Sequence, residues 1–230
     1  MKEIKNGCDL KNCFLCRHAL PEWLRAVAVH KQNFKVKKGE VIFNEGEKVT
    51  GIYFAYDTII KVHKRWGSDK ELIIRFANKG AIFGHRGLGR NNIYPISATA
   101  LEAGTICYVD NSFFEATIKT STDFAYNLML FFADELQEAD RRMRNLAHMS
   151  VKGRVAYSLL LLKDQFGVNR DGLIGIELSR QDLSSFAGAT YETVFRVINE
   201  MLAENMIAVA GKKICITDTE KLVQLTKDDI

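Results

Sequence analysis

With 47% hydrophobic residues over 230 positions, the chain can build one large domain or two small ones, and its 2 prolines and 16 glycines exclude a disordered or fibrous polymer. No apolar run approaches the roughly 18 residues a membrane helix needs. The opening MKEIKNGCDLK lacks the apolar segment of an export signal, so the expected setting is a cytoplasm that keeps the five cysteines reduced, with no membrane partner. The net charge of +4 is uneven: residues 1–120 carry 19 basic against 12 acidic side chains, residues 121–147 carry 3 against 5, and residues 148–230 carry 10 against 11. Any nucleic-acid surface in the last third is therefore local and not a basic field.

Taken in order, the first informative stretch is CDLKNCFLCR, where Cys8, Cys13 and Cys16 are spaced C-x4-C-x2-C. A short loop of this kind can gather thiolates around a soft metal or an iron–sulfur cluster, which needs about four such ligands. Two other readings stay open: His18 completing a zinc site, or three unligated thiols in an N-terminal arm. A thioredoxin-like C-x2-C enzyme does not fit, because no βαβ pattern surrounds the pair.

From Phe34 to Val109 short alternating runs are punctuated by glycine: FKVKKGEVIFNEGE, GIYFAYDTIIKVHKRWG, KELIIRFANKG, AIFGHRG and GTICYVD. Such spacing predicts an antiparallel sandwich or barrel. Within it, Lys79 to Asn91 (KGAIFGHRGLGRN) brings glycine backbone beside His85, Arg86 and Arg90, which suits either an anion cradle or a bend with solvated arginines.

At Asp110 the period changes from two to 3.6. Ser112 with Glu115 predicts the start of a short helix, and Thr120 with Asp123 that of a long one. In the long helix Met129, Phe132, Leu136, Ala139, Met143 and Leu146 follow a 3-4 heptad spacing, with Glu138–Arg142 and Asp140–Arg144 as flanking pairs. Leu128 and Phe131 form a second stripe suited to the β domain. The seam suits a second copy of the chain, the alternative being a wide face buried within one chain. His148 to Lys152 interrupts the seam, and with Gly153 it reads as a hinge before the helix VAYSLLLLKDQFG.

The C-terminal stretch LSRQDLSSFAGATYETVFRVINEMLAENMI follows strand-like LIGIEL. Ser179 and Asp182 cap a short helix, Gly188 permits a left-handed turn, and Thr190 caps a second helix with Val194, Val197, Ile198, Met201 and Leu202 inward. This is the helix-turn-helix pattern, with Tyr191, Glu192, Phe195, Arg196 and Asn199 on the outer face. An ordinary helical hairpin with a surface Glu192–Arg196 pair is the plainer reading. AVAGKKICIT then reads as a hairpin turning at Gly211-Lys212, a wing whose Lys212 and Lys213 suit phosphate contact. Cys215 between two isoleucines reads as a packed strand residue.

The expected fold is thus α+β, in three parts. Residues 1–120 form a cysteine-containing arm and antiparallel β-roll, a cyclic-nucleotide-binding-like jelly roll. Residues 121–149 form a dimerisation helix and hinge, and residues 150–230 a winged helix-turn-helix. In this order, and above all in SRQDLSSFAGATYETVFRVINEML, the chain resembles the bacterial CRP/FNR family of transcription regulators (the cyclic-AMP receptor protein and fumarate–nitrate-reduction types). The E-T-V-x-R core of that family's recognition helix stands here as Glu192, Thr193, Val194 and Arg196. The resemblance implies homodimers reading palindromic double-stranded DNA, with RNA polymerase as a further partner. It implies base-edge contacts by Glu192 and Arg196, a carboxylate accepting from cytosine N4 and a guanidinium donating to guanine. Tyr191, Thr193, Phe195, Ser179, Arg180, Lys212 and Lys213 complete the expected DNA surface. Tyr191 stands where cyclic-AMP-type members carry another arginine and Phe195 where fumarate–nitrate-reduction-type members carry serine, and Phe195 suits a thymine methyl.

The resemblance also bears on the effector. Cyclic-AMP-type members carry a glutamate after F-x-G and an arginine before S-A, and these positions hold His85 and Ile96 here, so cyclic AMP in the usual mode is not expected. Gly84, His85, Arg86 and Ser97 remain candidates to line a pocket for another small effector. Oxygen-sensing members hold a [4Fe-4S] cluster by three N-terminal cysteines and one on a roll strand. Cys107 stands in the setting of that strand ligand, so Cys8, Cys13, Cys16 and Cys107 are the candidate set, although the arm's spacing departs from the family pattern. The competing functional class is a metal- or small-ligand-binding regulator acting through protein–protein contacts. No catalytic triad, paired-carboxylate site or phosphate loop appears, and the five histidines lack metal-site spacing, so an enzyme is not expected.

Overall fold

The computed structural model describes residues 1–4, 8–67 and 70–227. The chain divides into two units, Met1–Glu135 and Leu136–Ile230, the boundary falling inside the long helix and not at either end of it.

In the first unit, strands β1 (Lys2–Ile4), β2 (Gln32–Val36), β3 (Val41–Phe43), β4 (Gly51–Ala55), β5 (Ile60–Trp66), β6 (Lys70–Ala77), β7 (Ile82–Phe83), β8 (Ser97–Ala100) and β9 (Gly104–Asp110) make two antiparallel sheets. One has the order β1-β2-β9-β4-β7 and the other β3-β8-β5-β6. The period of two along a strand decides what each face meets. In β4, Tyr53 and Ala55 enter the core of the roll, while Ile52 and Phe54 enter a second core with the arm and helices. In β9, Ile106 faces the roll interior and Cys107 the arm side. Aromatic rings fill the interior: Phe43 stacks on Tyr94 with centroids 3.9 Å apart, and Tyr53 on Phe83 at 5.4 Å.

Helices α1 (Phe14–His18) and α2 (Leu24–His30) precede β2, and α3 (Asn111–Thr120) and α4 (Thr122–His148) follow β9. Leu128 is buried and Phe131 packs with it in the second core, as their stripe predicts. The second unit adds α5 (Val151–Phe166), α6 (Arg180–Ala187), α7 (Tyr191–Ala203), the hairpin β10 (Ile207–Ala210)–β11 (Lys213–Ile216) and α8 (Thr219–Gln224). Ala210 pairs with Lys213, so Gly211-Lys212 is the two-residue turn of the wing.

Local details differ from the sequence reading. α3 is capped by Asp110, whose side chain accepts from Phe113 N, and Ser112 donates its hydroxyl to the same carboxylate. The carboxylate is the stronger acceptor, so the helix begins earlier. At α4 the capping hydroxyl is Ser121, accepting from Phe124 N at 3.1 Å, not Thr120, which bonds back to Ala116 O. Strands β1 and β8 carry no alternation distinctive enough to read. LIGIEL forms only isolated bridges, Leu173 with Cys215 and Ile174 with Val168. The break between α4 and α5 falls at Met149–Ser150, and Gly153 lies in the first turn of α5, where a Cβ would come within 2.6 Å of Leu225 O. In the flank of the seam Glu138 pairs with Arg141, while Arg142 donates to Phe186 O and lies over the Phe186 ring.

Candidate DNA interface and thiol cluster

Three side chains and one glycine shape the helix-turn-helix. Ser179 accepts from Asp182 N at 2.9 Å, capping α6. Gly188 ends that helix at φ 64° and ψ 43°, a left-handed conformation costly for any residue with a Cβ. Arg154 of α5 then holds the turn, donating to Ala187 O (3.0 Å), Gly188 O (3.3 Å) and Met149 O (2.8 Å). Thr190 caps α7, where Val194, Val197, Ile198 and Met201 are all buried.

With that face inward, α7 turns Tyr191, Glu192, Phe195, Arg196 and Asn199 outward. The Arg196 side chain is 73% exposed and 3.8 Å from Glu200, its neighbour at i, i+4. Tyr191 and Phe195 stack with planes 13° apart. Thr193 is half-buried and its hydroxyl meets that of Thr190, so it serves the cap. The Ser179 hydroxyl is likewise engaged, donating to the Asp182 carboxylate. Arg180 is half-buried at the start of α6, and Lys212 at the wing tip lies 3.9 Å from Glu177. Lys213 begins β11. The predicted seam residues of α4, Met129, Phe132, Leu136, Ala139, Met143 and Leu146, are all exposed.

In the first unit the arm and β9 bring together the four cysteines that the chain separates by almost a hundred positions. Cys13, Cys16 and Cys107 are buried and share one core, with Cys8 packed against it. The Cys8 thiol is held far below the ordinary thiol range by hydrogen bonding from Cys107 first, then from Cys13 and Cys16. The counterpart appears in its neighbours. Cys16 is raised by Cys13 and Cys8, and Cys107 by Cys8 and burial. Cys13 is pulled down by Cys16, but Cys8 and burial outweigh this and push it up to about 11. Hydrogen bonding among the four thus favours ionisation at Cys8 over its three neighbours. Backbone N–H groups of Leu10 and Cys16 point at Cys8 Sγ and Cys13 Sγ, each at 3.4 Å. Among the described residues, no three His, Cys, Asp or Glu side chains are preset around a common metal position. The donor set nonetheless suits a thiophilic group: four sulfurs and no carboxylate, in apolar surroundings. His18 does not join them; its ring packs on Phe14, 4.7 Å between centroids.

Sequence reasoning missed the groups around this cluster. Asn33 lies directly across the β2–β9 ladder from Cys107, and its Oδ1 is 3.2 Å from Cys107 Sγ. Lys31 Nζ donates to Cys8 O at 3.1 Å. Phe14, between Cys13 and Cys16, meets Phe124 and Phe131 of α4 at 5.9 and 5.4 Å. Each depends on strand register or helix docking, which local sequence does not carry.

The effector-pocket candidates are each engaged elsewhere. Ser97 Oγ accepts from Glu45 N at 2.9 Å. Gly84 sits at φ 82°, with Tyr53, Tyr94 and Phe43 within 3.5 Å of where a Cβ would stand. The expected anion cradle already holds a carboxylate: Glu135 of α4 accepts from Arg75 at 2.6 Å and Arg86 at 2.9 Å. His85 is buried with its Nε2 3.7 Å from Glu135, too far for a hydrogen bond. Burial lowers the His85 pKa to about 4, Glu135 opposing and Arg75 and Arg86 assisting. Burial would raise Glu135, but His85, Arg75 and Arg86 hold it well below the usual carboxylate range.

A roll of two antiparallel sheets, a long helix with an exposed apolar stripe and a winged helix-turn-helix together make the architecture of a DNA-binding transcription regulator. Residues 33–121 match the cyclic nucleotide-binding domain and residues 153–225 the Crp-like helix-turn-helix domain. The cAMP-activated global transcriptional regulator CRP of Escherichia coli O6:H1 is 28% identical over 204 residues, covering 86% of this chain and 94% of that protein. The anaerobic regulatory protein of Bacillus subtilis is 27% identical over 178 residues, covering 76% and 75%. FixK2 from Bradyrhizobium japonicum shares the fold with a TM-score of 0.77 at 23% identity, over 87% of this chain and 99% of that one. The chain belongs to the CRP/FNR family of transcription regulators. Members of this family bind DNA and act as dimers, and are not enzymes. Among the described residues no helix is long and apolar enough to cross a membrane.

Proposed function

We propose that the protein is a homodimeric, sequence-specific DNA-binding regulator whose sensor is the Cys8–Cys13–Cys16–Cys107 cluster, and that cyclic AMP in the usual mode is not its effector. The observation that carries the sensor reading is the convergence of three arm thiols with one strand thiol on a single buried face. Against the nucleotide stand His85 and Ile96, both buried, where cyclic-AMP-type relatives present a glutamate and an arginine. A [4Fe-4S] cluster bound by the four sulfurs would supply oxidant-sensitive redox chemistry. Cys8 is the sulfur its neighbours make easiest to ionise for ligation, the Leu10 and Cys16 N–H groups offset charge on sulfur, and the apolar shell limits water. Phe14 places the ligating arm directly on α4, so a shift of α1 is felt by the helix carrying the seam.

For DNA, Glu192 and Arg196 read base edges, Tyr191 and Phe195 lie beside them, and Arg180, Lys212 and Lys213 meet phosphates, while Ser179 and Thr193 act through the caps they build. Pairing through the exposed stripe from Met129 to Leu146 presents two such heads to a palindrome, and promoter-bound dimers address RNA polymerase. Anaerobically purified protein is expected to contain iron and acid-labile sulfide with visible charge-transfer absorption, all lost in Cys107→Ser; iron-free, colourless protein refutes the sensor. DNA binding is expected to weaken steeply with salt, and Arg196→Ala to relax base preference. Salt-independent or absent binding would favour a regulator acting on another protein, which the near-neutral charge of residues 148–230 allows.

A further inference from the structure

The outer face of α7 carries an apolar feature that the fold does not use. Tyr191 and Phe195 are 43% and 48% exposed, on the flank of the helix between its buried stripe and the outermost residues Glu192 and Arg196. Their rings are nearly parallel, 13° apart with centroids 6.2 Å apart, so they act as one plate and not as two independent side chains. The plate runs beside Glu192 and Arg196, which occupy the next position of each turn, making one contiguous stripe of two aromatic and two charged groups. An exposed aromatic pair of this kind offers apolar surface for a contact. Its continuity with the charged half of the stripe says which: whatever Glu192 and Arg196 touch lies against the rings as well.

We propose that Tyr191 and Phe195 together read the C5-methyl group of thymine in the base pair adjoining the one read by Arg196. This rests on the DNA-reading function proposed above for α7. In the major groove a T·A pair differs from the others by its methyl group, an apolar disc-like feature that an aromatic face contacts without hydrogen bonds. The charged residues distinguish G·C pairs by donors and acceptors, and the plate distinguishes T from C by shape and desolvation. The methyl group of 5-methylcytosine occupies the same place as that of thymine, so it is a second ligand of the same chemistry.

The test uses the full-length chain and duplexes enriched from a randomised DNA library. The enriched sites are remade with each thymine replaced singly by deoxyuridine, which keeps every hydrogen-bonding group and removes only the methyl. Loss of one methyl contact is expected to weaken binding about fourfold at one position per half-site, and about fifteenfold when both half-sites are changed. In Phe195→Ala and Tyr191→Ala this uracil penalty disappears while the preference for the G·C pair persists; in Arg196→Ala the reverse holds. Replacing that thymine by 5-methylcytosine is expected to retain more affinity than cytosine. Enriched sites that bind equally well with every thymine replaced overturn the proposal and leave the DNA reading intact. Failure to enrich any sequence overturns the DNA reading itself.

Discussion

Glu135 is the acceptor for two arginines and the neighbour of a buried imidazole, and its removal has a calculable cost. Glu135→Gln preserves shape but leaves Arg75 and Arg86, whose side chains are 17% and 28% exposed, facing one another without the intervening charge. Breaking a fully buried ion pair costs about 3–5 kcal/mol, and partial exposure scales this to about 2–3 kcal/mol. Both tryptophans, Trp23 and Trp66, lie in the unit Met1–Glu135, so their fluorescence in urea follows this unit. With a denaturant dependence of about 2 kcal/mol per molar, the midpoint is expected to fall by roughly 1–1.5 M. Glu115→Gln is the control, since the Glu115–Lys119 pair is 59% and 77% exposed and its loss moves stability by less than about 0.5 kcal/mol. Equal midpoints for the two variants would refute the assignment of Glu135 as the buried counter-ion of the arginine pair.

Three other outcomes follow from the same geometry. His85 titrates at about 4 when folded and near 6.5 when unfolded, so between these values the unfolded chain binds more protons. Stability of the first unit is therefore full above pH 6.5 and falls toward pH 4 by up to about 3 kcal/mol, a loss that urea midpoints should show in the wild type and not in His85→Gln. In metal-free, reduced protein the Cys8 thiolate should react with iodoacetamide at a rate nearly constant from about pH 6 to 9, and Cys107→Ala, which removes the foremost donor to Cys8, should bring back part of the rise with pH; a tenfold rise per pH unit in the wild type would contradict the shared-thiolate arrangement. Gly188→Ala, forced into a left-handed conformation, should cost about 1–2 kcal/mol in thermal unfolding of the second unit and weaken DNA binding with it; an unchanged melting temperature would refute the strain.

Much of the architecture was legible in local pattern, because each part relies on a short-range physical rule. The α6–turn–α7 element is specified by two caps, one left-handed glycine and a buried stripe at helical period, all within thirty residues. The wing is specified by a two-residue turn between alternating strands, and the exposed seam of α4 by a heptad spacing. The resemblance to the CRP/FNR family rested on the same stretch, and the matches over residues 33–121 and 153–225 agree with it. Where competing acceptors sat one or two residues apart, as with Asp110 against Ser112 and Ser121 against Thr120, sequence could place a helix start but not choose its cap.

What tertiary structure alone decided depends on strand register and on docking. A one-residue slip of β9 would turn Cys107 into the aromatic interior and Ile106 toward the arm, so the fourth thiol joins the other three only through the ladder that pairs it with Asn33. Likewise nothing near His85 or Arg86 in the chain foretells Glu135, nearly fifty residues on, which gives a stretch that read as either an anion cradle or a bend with solvated arginines a carboxylate of its own chain as counter-ion. The sequence alone determined a DNA-reading helix and four cysteines as candidates. The fold determined that the cysteines share one apolar site, because side chains distant in the chain interact only when backbone hydrogen bonding and apolar packing hold their strands and helices in register.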